Sequence, residues 1–128
     1  MAQQRCPCKS GHKVISWSER EIDNWLFELG YETIYEPEVP TDDGRLIADW
    51  LILPQKGLTK PVIIEYWGLL RKENRAQWVN DRLPRYKKKK IYKENLYVSL
   101  EDYYYVSILP EDLILGKNMI VEKLSNLK

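Results

Sequence analysis

The chain has 128 residues, of which 44% are hydrophobic and 30% charged, with 20 Lys and Arg against 19 Asp and Glu. This length suits one domain with a real core and is short for two. No run of about 18 apolar residues exists, which excludes a membrane-spanning helix, and residues 1–13 lack the apolar stretch of a secretory signal. We therefore expect an intracellular protein, in the cytoplasm or a host-cell cytoplasm, with no membrane partner and no organic cofactor.

The N-terminal segment contains three residues that can bind metal, Cys6, Cys8 and His12, spaced as C-x-C-x3-H. A structural zinc site needs four ligands, and only three lie close together here. We expect residues 1–15 to form a solvated, partly ordered tail with free thiols, followed by one domain over residues 16–128. The alternative is a zinc ion whose fourth ligand comes from elsewhere or from a second chain.

The domain begins with a predicted helix over residues 16–29. Its apolar residues recur at helical spacing, a serine (Ser16 or Ser18) can cap its start, and Gly30 follows its end. Three strand-like runs come next, over residues 31–39, 46–53 and 62–67, separated by turn-forming residues.

The second half of the chain returns to helices. We expect helices over residues 73–80 and 84–94, the second with Pro84 in its first turn, and then a buried strand over residues 103–109. After a polar turn at residues 110–112, the apolar spacing of residues 117–127 predicts a packing helix. The order is α-β-β-β-α-β-α, which indicates one sheet with helices against it.

Charge is unevenly distributed along the chain. Residues 71–93 contain ten Lys and Arg against two acids, so this segment carries +8 and the rest of the chain −7. Such segregation predicts a surface for a polyanion beside an acidic cluster, although a solvated helix face can have the same composition.

Two acids occupy positions that a purely structural role does not explain well. Asp49 lies within LIADWLIL and Glu65 follows VII, so large apolar residues surround both carboxylates. Buried carboxylates are costly unless they are paired or bound to metal, and two close together call for a cation. If their strands are neighbours, the pair can hold Mg²⁺, and Glu19 on the first helix can add a third acid.

These residues resemble the motifs of the PD-(D/E)XK nuclease superfamily, in particular helicase-associated nuclease domains and relatives of very-short-patch repair endonucleases. That subgroup reads roughly S-x-x-E-x-x-I-x-x-W/F-L, P/A-D-F/W-x-L/I-P and V-x-I-E-x-W/F-G, followed by a Lys-rich helix ending in an aromatic residue or His. The chain supplies, in this order, Ser16-x-x-Glu19-x-x-Ile22-x-x-Trp25-Leu26, then Ala48-Asp49-Trp50-Leu51-Ile52, then Ile64-Glu65-Tyr66-Trp67-Gly68, then Lys87-Lys88-Lys89-Lys90-Ile91-Tyr92.

The resemblance implies a restriction-endonuclease-like α/β core (α-β-β-β-α-β), with a mixed central sheet flanked by helices, to which the C-terminal helix is added. It implies a DNA endonuclease dependent on Mg²⁺ or Mn²⁺. Asp49, Glu65 and the carbonyl of Tyr66 would hold the metal, and Glu19 would act through a second metal or a bound water.

The chain departs from the superfamily pattern at Trp67, which stands where the third-strand lysine is expected. In the resembled subgroup this lysine is taken to have moved to the following helix. Setting Leu83 at zero and advancing about 100° per residue places Lys88 between Ile91 and Tyr92. We predict Lys88 as the active-site lysine, with Lys87 as the second choice.

The remaining basic residues are expected to contact the DNA backbone, namely Arg71, Lys72, Arg85, Lys87, Lys89 and Lys90. Binding would then be salt-sensitive and low in sequence specificity. Structure-selective cleavage in DNA repair or recombination and a homodimer on duplex DNA are compatible with this interpretation. The first alternative is a catalytically inactive nucleic-acid-binding module of the same fold, and another is a protein-interaction domain that uses exposed Trp and Tyr.

Overall fold

The structure of the chain is a computed structural model that describes residues 5–73 and 75–127. Residues 1–4 of the predicted tail, residue 74 of the predicted helix 73–80, and residue 128 lie outside these ranges. Within them, no helix is both long enough and apolar enough to cross a lipid bilayer.

The described residues form short strands and three α-helices. The strands are β1 (Cys6–Pro7), β2 (Lys13–Val14), β3 (Thr33–Tyr35), β4 (Glu38–Thr41), β5 (Gly44–Ile47), β6 (Trp50–Ile52), β7 (Val62–Tyr66) and β8 (Tyr104–Ile108). The helices are α1 (Trp17–Glu28), α2 (Gln77–Val98) and α3 (Lys117–Ser125). Two 3₁₀ turns, Gly68–Leu70 and Pro110–Leu115, follow β7 and β8.

The central sheet has four strands in the order β3-β6-β7-β8. Its first two pairings are antiparallel, whereas β7 and β8 are parallel and are joined by α2. A parallel pair needs such a crossover connection, because a hairpin can join only antiparallel strands. The α/β class, the mixed central sheet and the C-terminal helix are therefore confirmed.

The two faces of this sheet pack against different helices. Along β7 side chains alternate between faces, so Val62 and Ile64 join the larger cluster with residues of α1 and α3, while Ile63 packs with Tyr97 of α2. Glu65 follows the same alternation and therefore points to the α2 side, where it is 3% exposed. The pleat of the strand thus delivers this acid beneath α2.

Both of the first two predicted strands are divided in the structure. The run 31–39 separates into β3 and β4 at Glu36, whose φ is +51°, and the run 46–53 separates into β5 and β6 around Asp49. The prediction of two continuous strands was wrong, because β4 and β5 leave the central sheet and pair with each other as a hairpin.

The basic segment forms one helix instead of the two that were predicted. Helix α2 continues through Pro84, which cannot donate a backbone hydrogen bond and costs about 3 kcal/mol in a helix interior. The buried residues Val79, Leu83 and Tyr97 lie on one side of the helix both before and after the proline. Packing of this continuous row onto the sheet outweighs the local cost.

The described part of the predicted tail packs against the domain. Strands β1 and β2 form a hairpin, and Val14 is fully buried. Asp23 of α1 is 1% exposed and is held by the Oγ of Ser10, the Nδ1 of His12 and the Nε1 of Trp50 at 2.6, 2.8 and 2.9 Å. The bonds from Ser10 and His12 tie the connection between β1 and β2 to α1, while residues 5–13 stay exposed or half-buried. Both cysteines are free.

Candidate active site

A cleft of about 600 Å³ lies where β6 begins and β7 ends, between α1 and α2. Its walls carry several charged side chains, which come from separate segments of the chain. These are Glu19, Glu36, Asp49, Glu65, Arg71, Lys89 and Lys93. The three acids that the sequence singled out therefore share one cavity.

Asp49 and Glu65 are brought together by the pairing of β6 with β7. The regular ladder ends with Trp50 opposite Ile64. The Asp49 amide also donates to the carbonyl of Ile64, at 3.2 Å, so Asp49 and Trp50 both lie against Ile64, as in a β-bulge. The amide of Tyr66, the residue after Glu65, donates to Asp49 Oδ2 and holds this carboxylate beside Glu65.

The electrostatics of this pair follow from its burial. Burial first, and the charge of Glu65 second, raise the pKa of Asp49 from 3.8 to about 8. The amide of Tyr66 opposes this increase by donating to Asp49 Oδ2 at 2.6 Å. Two carboxylates this close cannot both be ionised cheaply, so the site favours a proton or a cation.

A lysine from α2 completes the cluster, and it is Lys93. Its ammonium forms an ion pair with Glu65 and donates to the carbonyl of Ile47 at 2.8 Å. The side chains of Lys93 and Glu65 are 9% and 5% exposed, and the hydroxyl of Tyr97 donates to Glu65 Oε2 at 2.8 Å. Glu65 therefore has two partners from α2.

The predicted lysines occupy other positions on the helix. Lys88 and Lys87 are exposed and do not line the cleft, whereas Lys89 is exposed and does. The prediction of Lys88 assumed that Ile91 lies on the buried face, but Ile91 is 61% exposed. The buried face is on the other side of the helix, so the lysine that reaches the acids is Lys93, five residues after Lys88 along the chain.

The sequence did contain a signal for Lys93. Buried or half-buried residues of α2 recur at alternating steps of four and three, as a helix face against a sheet requires. The row is Val79, Leu83, Tyr86, Lys90, Lys93 and Tyr97. Lys90 and Lys93 both fall in this row between Tyr86 and Tyr97, and a lysine on the buried side of a helix needs an anionic partner, for which Glu65 was already a candidate.

Glu19 faces the cleft from the first turn of α1. Ser16 caps this helix by accepting the amide of Glu19 at 3.1 Å, which fixes where the turn begins. The Glu19 carboxylate is 7% exposed and accepts the hydroxyl of Tyr35 at 2.6 Å. Burial raises its pKa, and the bond from Tyr35 partly offsets that effect.

Trp67 lies beneath the lysines instead of taking the place of one. It is 3% exposed, its Nε1 donates to the hydroxyl of Tyr105 at 3.1 Å, and Tyr86 packs edge-on against it. The ammonium groups of Lys93 and Lys90 lie 5.9 and 5.7 Å from its ring centre, close enough for cation–π attraction. Trp67 thus supports the lysine that enters the site.

Tyr66 and Gly68 shape the floor of the cleft. Tyr66, a predicted metal ligand through its carbonyl, lines the cavity, and its ring lies over Gly68. A Cβ atom added at Gly68 would lie 2.9 Å from Tyr66 Cε2, so a glycine is required for this contact.

The predicted DNA-binding residues are distributed over different surfaces. Arg71 and Lys89 line the cleft, while Lys72, Arg85 and Lys87 are exposed outside it. Lys90 is half-buried and pairs with Glu94 at 2.6 Å.

The carboxylates of the cleft form the donor set that a divalent metal would use. In the ranges that the structure describes, no three His, Cys, Asp or Glu side chains are gathered as a metal site, whether at Asp49 and Glu65 or at the Cys6, Cys8 and His12 motif. Yet the acids of the cleft outnumber its one buried cation, Lys93, and burial raises the pKa of Asp49. Since Mg²⁺ often takes only one or two carboxylates, with waters and substrate oxygens as further ligands, the acid pair fits it.

Comparisons with protein-family models, with curated proteins and with solved structures found no match to this chain. Its function is therefore inferred from the chemistry of the cleft.

Proposed function

We propose that the chain is a metal-dependent DNA endonuclease with low sequence specificity. The observation that carries this proposal is the convergence of Asp49, Glu65 and Lys93 in one cleft. Two carboxylates and an ammonium are suited to metal-assisted phosphodiester hydrolysis, because the carboxylates can hold a metal and the ammonium can stabilise negative charge on phosphate.

The arrangement of elements supports a restriction-endonuclease-like fold. The central sheet and its helices follow the chain order α1, β3, β6, β7, α2, β8, which is the core order of the PD-(D/E)XK superfamily. Asp49 stands immediately before β6, the second strand of this sheet, and Glu65 lies near the end of β7, the third. These are the strands on which that superfamily carries its acids.

The carboxylates of Asp49 and Glu65, with the carbonyl of Tyr66, would hold Mg²⁺ or Mn²⁺. When bound, such a metal polarises a phosphate oxygen and lowers the pKa of a coordinated water. Deprotonated Asp49 is required for this binding, so the raised pKa of Asp49 makes metal and proton compete for one group. Glu19, on the opposite wall of the cleft, would hold a further water.

Lys93 would act on the substrate from the α2 side. Its ion pair with Glu65 and its bond to Ile47 hold the ammonium at the acid pair without exposing it to bulk water. An ammonium fixed in a largely buried site stabilises the charge that develops on phosphate more effectively than one in solvent. The role predicted for Lys88 is therefore better suited to Lys93.

The experiment is a cleavage assay on labelled single-stranded, duplex and branched DNA with Mg²⁺ or Mn²⁺. We expect Asp49→Asn, Glu65→Gln and Lys93→Met to lose at least about a hundredfold in rate, since each removes a charge that acts in the transition state. Lys88→Met is the matched control and should cleave like the wild type. Cleavage that survives both Asp49→Asn and Glu65→Gln would refute the site.

A non-catalytic nucleic-acid-binding module is the second candidate. The observation in its favour is that Lys93 already neutralises Glu65, so the folded protein does not need a metal there for stability. DNA binding that is unchanged by divalent metal, without cleavage of any of the three substrates, would favour this module over the enzyme.

A further inference from the structure

The side of α2 that borders the cleft carries a row of basic residues that begins at a tryptophan. At about 100° per residue, the members of this row fall within a sector of about 80°. They are Trp78, Arg82, Arg85, Lys89 and Lys93, and the last two line the cleft. At about 1.5 Å per residue the row is about 22 Å long, so it leads from the start of the helix into the site.

The row is positively charged without interruption. Arg82, Arg85 and Lys89 are exposed, and the two acids of α2, Asp81 and Glu94, fall outside the sector. Lys87 and Lys88 fall outside the sector, so the four consecutive lysines at positions 87–90 lie on different surfaces of the helix. A one-sided basic strip of this kind attracts a polyanion along its length.

Trp78 gives the row an aromatic surface at its outer end. The side chain is 53% exposed, and the guanidinium carbon of Arg82 lies 5.2 Å from its ring centre. The arginine covers part of the ring and restricts it, while more than half of the side chain stays open to solvent. An exposed aromatic plane beside basic residues is the combination that stacks unpaired bases and contacts their phosphates.

The opposite wall of the cleft is different in charge. Its lining residues from the start of α1 and the β3–β4 connection are Ile15, Ser16, Ser18, Glu19 and Glu36, none of which is basic. A duplex presents two phosphate backbones, and the second would meet carboxylates and hydroxyls among these lining residues, while Arg5, which reaches Glu36, is paired with it at 3.3 Å. Moreover, bases inside a duplex are already stacked on both sides, so Trp78 can stack only on an unpaired base.

We propose that a single-stranded segment of nucleic acid lies along this row and enters the cleft with its backbone. Its phosphates contact Arg82, Arg85 and Lys89, and a base stacks on Trp78. This assignment rests on the proposed function, because it specifies the form of the substrate that the same site cleaves.

The first test measures binding by fluorescence anisotropy of a labelled 15-nucleotide oligothymidine in EDTA, where metal-dependent cleavage does not occur. Arg82→Glu/Lys89→Glu is compared with Lys87→Glu/Lys88→Glu, which makes the same change of charge at two residues of α2 outside the sector. We expect the first pair to weaken binding at least tenfold more than the second. Its slope of log Kd against log salt should fall by about 1.4, which corresponds to two lost phosphate contacts.

The second test isolates stacking. Trp78→Ala should weaken oligothymidine binding about tenfold with the salt slope unchanged, whereas Ile91→Ala, an exposed residue on the other side of α2, should have no effect. Circular dichroism establishes that each variant is folded. If the charge-reversed variant Arg82→Glu/Lys89→Glu unfolds, the neutral variant Arg82→Gln/Lys89→Gln replaces it.

The outcomes separate this assignment from the proposed function. If the two charge-reversed double variants lost binding equally, only net charge would matter, and the assignment of the row as the binding surface would be overturned. Binding of a 15-base-pair duplex at least as tight as that of the single strand would also overturn it, as would no binding of either. Row-dependent binding with no cleavage under any metal would instead overturn the enzymatic function and leave the row standing.

Discussion

The ammonium of Lys93 and the carboxylate of Glu65 form an ion pair in which both side chains are at least nine-tenths buried. Taking two charges out of water costs several kcal/mol each, and the attraction between them repays this only when further hydrogen bonds complete the site. Tyr97 and the carbonyl of Ile47 supply those bonds. The pair and its two supporting bonds lie at the edge of the acidic cleft, next to Asp49.

The first prediction concerns this pair. Lys93→Met should destabilise the protein by about 3 kcal/mol, because it leaves the charge of Glu65 buried and without a cation. Lys93→Met/Glu65→Gln should recover most of that loss, since no buried charge remains. Urea denaturation of the wild type, both single variants and the double variant measures the coupling.

The double variant also separates stability from activity. It should fold well and still fail to cleave DNA, because both the ammonium and a metal-binding carboxylate are gone. Lys88→Met serves as the control and should change neither quantity. If the losses of stability in the two single variants add up to the loss in the double variant, the ion pair does not exist in solution.

The second prediction concerns pH and Asp49. Because the pKa of Asp49 is about 8 in the folded protein and lower when unfolded, the native state retains a proton that the unfolded chain releases between about pH 4 and 8. Stability should therefore fall as pH rises through this window, by at most about 1.4 kcal/mol per pH unit. Asp49→Asn should flatten the curve and be more stable than the wild type at pH 8.

The control for this effect is Asp42→Asn, which changes an exposed carboxylate outside the cleft. It should leave the pH dependence of the wild type in place. Thermal melts from pH 4 to 9 measure all three proteins, and a wild-type curve that rises toward pH 8 would contradict the raised pKa of Asp49.

The third prediction concerns metal. Because Mg²⁺ or Mn²⁺ must displace the proton from Asp49, metal affinity should increase with pH up to about 8 and then level off. Added metal should raise Tm at pH 8 more than at pH 6. Asp49→Asn should abolish this shift, and titrations followed by thermal melting measure it without any substrate.

The two acids could be brought together from the sequence because consecutive strands usually pair. Asp49 lies in the second predicted strand and Glu65 near the end of the third, and the antiparallel pairing of β6 with β7 brings both to one cleft. Predicting the lysine required knowing how α2 is rotated about its own axis. That rotation depends on which apolar residues pack against the sheet, and Ile91, which looks like a core residue in the sequence, is exposed.

Chain direction between elements was harder to predict than the elements themselves. Nothing in the alternation of residues 31–39 marks Glu36 as the point where the strand leaves the sheet, because a left-handed φ at a glutamate has no strong local signal. Likewise, Pro84 is typical of a helix start, and only the continued burial of Tyr97 carries α2 through it.

The fourth prediction concerns Trp67 as a positioning residue. Trp67→Phe keeps an aromatic ring under Lys93 but loses the bond from Nε1 to Tyr105, and should cost about 1–2 kcal/mol of stability. We expect the cleavage rate to fall while DNA affinity stays within about twofold, because the ring, although it borders the cleft, is only 3% exposed and supports the lysine. Trp17→Phe, at a side chain that is 70% exposed, is the control. Equal losses of rate and affinity in Trp67→Phe would mean that Trp67 acts through substrate binding.

The last prediction concerns the contact between Gly68 and Tyr66. A methyl group at position 68 would meet Tyr66 Cε2 at 2.9 Å, so Gly68→Ala must displace the tyrosine ring and should cost about 1–3 kcal/mol. The amide of Tyr66 holds Asp49, so the shift should also reduce metal binding. Gly68→Ala/Tyr66→Leu removes the clashing ring atoms and should recover part of the stability, as measured by urea denaturation. An unchanged stability in Gly68→Ala would show that this close contact is absent.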